Sequence, residues 1–101
     1  MANRTGKAVK PTVMPNLSER FTPTQLAAAI TAKRTGMKLS LVDVSEALSI
    51  SKPTLVKIEK GDTNVKLANL LKVMEYLGLS FSILCDDATS KVETGVGDDW
   101  Y

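Results

Sequence analysis

Residues 39–61 read LSLVDVSEALSISKPTLVKIEKG, and no other stretch limits the possible folds as tightly. Ser40 followed three residues later by Asp43 is a capping signature for a helix start. Leu41, Val44 and Leu48 then fall on one face at i, i+3 and i+7. A second helix begins around Pro53, because the N–H that proline lacks would be unpaired in a first turn anyway. Ser51 suits the cap by residue type, whereas the restriction on the residue before a proline favours Lys52, and the sequence leaves both open. Gly61 closes this helix. Leu55 and Ile58 point inward, and Lys52, Pro53, Val56, Lys57 and Lys60 face out. The expectation is a helix over 41–48, a turn of about three residues and a helix over 52–60.

The flanks carry their own signals. In FTPTQLAAAITAKRTG, Thr22 suits an N-cap, Pro23 the first helical position, and Gln25 completes a capping box. Leu26, Ala29, Ile30 and Lys33 follow at helical spacing, and Gly36 closes the segment. In NVKLANLLKVMEYLG, Asn64 is the expected cap and Gly78 the terminator. Leu67, Leu70, Leu71, Met74 and Leu77 form an apolar stripe expected to be core. LSFSILC alternates Leu79, Phe81, Ile83 and Cys85 with Ser80 and Ser82, the pattern of a half-buried strand. A lone strand needs a partner for its backbone groups. The simplest is the same strand of a second copy across a two-fold axis, with Phe81, Ser82, Ile83 and Cys85 at the dimer interface. The alternative, Ala8, Val9 and Lys10, is cut short by Pro11. The fold expected is a mainly α, helix-turn-helix bundle with one C-terminal β-strand pairing across a homodimer.

At 101 residues and 44% hydrophobic content the chain suits one domain with loose ends. Residues 1–20 read as a flexible basic arm, 21–85 as the folded and dimerising domain, and 86–101 as a disordered acidic tail ending in Trp100 and Tyr101. With no histidine, His-ligated metals and imidazole catalysis are excluded, and a single cysteine excludes an internal disulfide. Asp43, Glu46 and Glu59 read as helix caps and surface charges, and Ser45, Ser51 and Cys85 have no histidine to activate them. No enzyme activity, metal or cofactor is expected. No apolar run nears the roughly 20 residues of a membrane span, and MANRTGKAVKP has no apolar core of a secretory signal, so the cytoplasm, at the nucleoid, is the expected location. The net charge of +2 conceals a division. All but one of the 13 Lys and Arg precede residue 86, while five of the 11 Asp and Glu fall within residues 86–101. A basic body suggests a polyanion partner.

The paired short helices give that partner a form. In a helix-turn-helix the second helix enters the major groove of DNA and its N-terminal residues reach base edges. Lys52 can donate to guanine, Thr54 can donate or accept, and Val56 can cover a thymine methyl, with Ser51 and Pro53 at the same helix end. Lys33, Lys38, Lys57 and Lys60 suit phosphate contacts, as does the helix end capped by Ser40.

Residues 24–79 resemble the five-helix DNA-binding domain of lambda-repressor-like regulators. The stretch SISKPTLVKIEKGDTNVKLANLLKVMEYLGL carries that likeness, including Glu59 and Gly61 of the Glu-x-Gly close. FTPTQLAAAI before it, LGLSFSILCD after it and a polar tail finishing in tryptophan are similar to HipB-type antitoxins. The resemblance implies a two-fold dimer joined partly through the C-terminal strand. It also implies repression of the chain's own operon at a palindromic duplex site, and a HipA-type, kinase-like toxin as partner. Leu41 stands where the family usually has a glutamine, Ser49 replaces the turn glycine, and Lys52 with Pro53 replaces the usual glutamine of the second helix. No family operator carries over. A stand-alone phage-type or restriction-control repressor is the alternative, and a module that no longer touches DNA a third reading. The terminal aromatic pair favours the first, with Trp100 and Tyr101 as toxin anchors.

Overall fold

The computed structural model describes residues 9–85. It contains four helices: α1 (Pro23–Gly36), α2 (Leu41–Leu48), α3 (Lys52–Glu59) and α4 (Leu67–Leu77). α2 and α3 form the helix-turn-helix, and α1 and α4 close around it. Ile30 of α1, Val44 of α2, Leu55 and Ile58 of α3, and Val73, Met74 and Leu77 of α4 meet in one core with Ile50 of the α2–α3 turn. None of the described helices is long and apolar enough to cross a membrane.

Local chemistry accounts for the helix ends. α2 starts in a complete capping box, the Ser40 hydroxyl receiving the Asp43 N–H and the Asp43 carboxylate the Ser40 N–H. At α3 the cap is Ser51, so Lys52 and Pro53 occupy the first two helical positions. Thr22 caps α1 by accepting from the Gln25 N–H, but the Gln25 side chain does not complete a box. Its amide instead donates to the carbonyls of Asn16 and Glu19, at 3.1 and 3.0 Å, tying the leading segment to α1.

Three expectations are corrected. Gly36 is the last residue of α1, not its terminator; the left-handed residue is Lys38, with φ of 62°. Around it, Leu39 N–H bonds to Arg34 O and Lys38 N–H to Thr35 O, the paired bonds of a Schellman turn. α4 is capped at Lys66, not Asn64, because Val65 is drawn onto the core and the backbone is still extended at Lys66. Asn64 N–H donates to the Asp62 carboxylate in the preceding turn. The apolar stripe of α4 also rotates. Val73, Met74 and Leu77 are buried with Leu70 packed beside them, while Leu67 and Leu71 lie 62% and 45% exposed.

Gly61 and Gly78 do end α3 and α4, both at φ of 80°. Ser49, where the turn glycine is missing, adopts the left-handed φ of 55° itself. The turn geometry is kept at the modest cost a side chain adds there.

Among the described residues there is no strand. Leu79 packs on the core and the Phe81 ring lies 6.2 Å from Phe21, after which Ile83 and Leu84 stand 94% and 86% exposed. A single chain supplies no partner strand for this segment. Val9 and Lys10, weighed as an alternative partner, lie instead against the C-terminal end of α1 and the start of α2.

Candidate nucleic-acid interface

The outer surface of α3 follows from its inner one. Leu55 and Ile58 are buried, which turns Lys52, Pro53, Lys57 and Lys60 to the exterior with Val56 half-covered beside them. Pro53 at the second position forfeits no helical bond, since the first-turn N–H groups have no intrahelical acceptor. The Ser51 hydroxyl lies 2.9 Å from the Thr54 hydroxyl and receives the Thr54 N–H at 3.4 Å. Ser51 is therefore committed to the cap, and Thr54 keeps part of its hydrogen-bonding capacity for an external group. Seven of the expected residues, Ser51, Lys52, Pro53, Thr54, Val56, Lys57 and Lys60, thus share one helix and its cap.

α3 is locked to α1 by an ion pair that no local pattern announces. Arg34 meets Glu59 bidentately, Nε to Oε2 at 2.7 Å and a terminal nitrogen to Oε1 at 2.9 Å, with the two side chains 11% and 12% exposed. Thr31 donates a hydroxyl to the same carboxylate, and Arg34 also donates to the Leu39 carbonyl. Glu59, expected as a surface charge, is the carboxylate of a nearly buried pair. At the other side Lys72 of α4 donates to the Leu48 carbonyl at 3.0 Å, holding the end of α2.

Ser40 and Lys52 line one shallow cleft, together with Val42 and Lys10. The exposed Val42 was not among the expected contacts, and Lys10 was expected only as part of a flexible basic arm. Nothing local in the sequence announces its seating here, because the contacts that hold its segment span more than twenty residues. Lys38 is exposed, but its ammonium is directed at the Val9 carbonyl, 3.4 Å away. Lys33 is not brought to this surface: half-buried, it lies along α1 with its ammonium beside Gly78. There its charge faces the carbonyl end of α4, a favourable place for a cation. Phe81, Ser82, Ile83 and Cys85 are all exposed in the single chain. Trp100 and Tyr101 lie outside the described residues.

The helix-turn-helix family model matches residues 30–84, more than half of the chain. Among solved structures, the HipB–O4 20mer complex is similar at 28% identity and a TM-score of 0.58, covering 67% of this chain and 94% of that one. The HipA–HipB–O2–O3 complex is similar at 28% identity and a TM-score of 0.59, with 67% of this chain and 94% of that one covered. No curated protein matches the sequence significantly. A capped, lysine-faced second helix and a matching family model lead to one conclusion, with HipB as a structural relative: the chain belongs to the helix-turn-helix family.

Proposed function

We infer that this chain is a sequence-specific DNA-binding repressor that acts as the antitoxin of a HipA-type toxin and represses its own operon. The observation that carries the DNA-binding part is the exposed face of α3, where three lysines and a partly free threonine project from a helix locked to the body on its other side. HipB complexes with a 20mer and with HipA support the reading by likeness. No catalytic role is assigned to the chain; regulation, at the cytoplasmic nucleoid, is its work.

The roles along α3 differ. Lys52, at the helix start, reads a base edge, with Pro53 and Thr54 beside it, and Lys57 and Lys60 farther along meet phosphates. Lys52→Ala should cost about 1–3 kcal/mol and relax the preference at one base pair of a duplex selected by the wild-type protein from a random pool. Lys57→Ala should weaken all duplexes alike and flatten the salt dependence. Equal wild-type affinity for selected and scrambled duplex in physiological salt would refute sequence-specific recognition.

Two copies act together. The exposed Phe81, Ile83 and Leu84, with Phe21 against Phe81, offer an apolar segment that pairing across a two-fold axis would cover. The two α3 helices would then read half-sites one helical turn apart, or a multiple of that, on a palindromic operator.

For the toxin, the proposed anchor is Trp100 with Tyr101. An indole buries a large apolar area and orients through one N–H, and a short tethered anchor adds to a larger contact through effective concentration. Trp100 is the sole tryptophan, so its emission reports on the chain's end alone. Addition of a HipA-type protein from the same genome should shift that emission to shorter wavelength and protect it from quenchers. An unchanged spectrum in a complex verified by sedimentation would remove the anchor role. A stand-alone repressor would bind the duplex and no such protein.

A further inference from the structure

Lys38 and Lys10 divide the work at this end of the molecule in a way their shared charge does not suggest. The Thr12 N–H donates to Oγ1 of Thr35 at 3.0 Å, and Thr35 is only 5% exposed, its hydroxyl in turn donating to the Thr31 carbonyl at 2.8 Å. Three residues earlier, the Val9 carbonyl accepts from the Lys38 ammonium. A buried hydroxyl and a lysine thus hold the leading segment at two points, and Pro11 stiffens the backbone between them. Lys10 is the one charged residue in that span. It is exposed and lines the shallow cleft with Ser40, Val42 and Lys52. The other cation of the cleft, Arg34, is engaged by Glu59 and the Leu39 carbonyl. The Asp43 carboxylate, at the same end of α2, accepts the Ser40 N–H at 2.7 Å.

We propose that residues 9–12 are a fixed part of the nucleic-acid interface, in which Lys10 meets a duplex phosphate flanking the groove entered by α3. Lys38 is a positioning residue that holds the segment, not a phosphate ligand. This rests on the DNA-binding reading of α3. The left-handed backbone at Lys38 belongs to the Schellman turn that places its side chain next to Thr35, so the turn ending α1 also seats the segment.

The test measures binding of the full chain to mixed-sequence duplex DNA over a fourfold range of salt. Lys10→Ala should reduce the slope of log affinity against log salt by about 0.9 per protomer, so that the loss over that range shrinks about 3-fold for each lysine removed. Lys38→Ala should flatten the slope in the same direction. The deciding variant is Lys10→Ala/Lys38→Ala, whose slope should be no flatter than that of Lys10→Ala alone. Additive flattening would make Lys38 a phosphate ligand and overturn its positioning role. A wild-type slope for Lys10→Ala, with Lys57→Ala clearly flattened, would take the segment out of the interface while leaving α3 in it. Wild-type slopes for Lys10→Ala, Lys52→Ala and Lys57→Ala together would overturn this proposal through the failure of the α3 reading itself.

Discussion

Glu59→Met should lower the unfolding free energy by about 3 kcal/mol, the low end of the cost of leaving one member of a buried pair alone. The low end applies because Arg34 and Glu59 keep 11% and 12% exposure, so some solvent screens the orphaned charge. The variant strands a guanidinium that retains only the Leu39 carbonyl, and it removes one of the two acceptors of the Thr31 hydroxyl, leaving the Ala27 carbonyl. For a domain of this size a loss of that scale lowers Tm by roughly 12–24 °C. Arg34→Met/Glu59→Met, which removes both charges and keeps apolar volume, should recover most of the loss. A thermal melt of Glu59→Met within a few degrees of wild type would mean that the pair does not hold α3 to α1.

Ser82→Pro should convert the dimer to monomer and weaken binding to a palindromic duplex by about 10²–10⁴-fold, because two half-sites would no longer be engaged as one unit. Ser82 is exposed and Leu79 is the last residue packed on the core, so the monomer should melt as a folded domain. Ile83→Asp, at a position 94% exposed in the single chain, should act in the same direction by placing a charge where the two segments meet. Sedimentation of either variant at dilute concentration distinguishes the cases. A variant that still runs as the wild-type dimer would place the dimer contact elsewhere.

What the sequence made legible is what short-range chemistry determines. Ser40 with Asp43, Thr22 before Pro23, and the glycines at 61 and 78 act within a few residues, and each does at its helix end what its type requires. The inward pair Leu55 and Ile58 was readable for the same reason, since helical spacing alone separates them from the lysines. The misread positions depend on neighbours distant in sequence. Leu67 and Leu71 looked like core, but α4 meets the body through Val73, and Val65 ahead of it sets the angle of entry. Lys33 looked like a phosphate contact because it is basic, and it is turned away by the end of α4. Glu59 looked like surface charge because its partner is twenty-five residues away on another helix. The docking of residues 9–12 has no local signal at all, since it consists of a backbone N–H reaching a buried threonine and a carbonyl accepting from a lysine.

The division of labour around α3 has an evolutionary consequence. Ser51, Leu55, Ile58 and Glu59 make the cap, the core contacts and the ion pair, whereas Lys52, Pro53, Lys57 and Lys60 take no part in any of them. Under the proposed function, substitutions at Lys52 and Pro53 can redirect which operator is recognised, and those at Lys57 and Lys60 can adjust how tightly any duplex is held, without lowering the stability of the domain. Duplicated copies of such a gene can therefore acquire separate targets while keeping a common scaffold, and the departures at Lys52 and Pro53 are of the kind such divergence leaves behind.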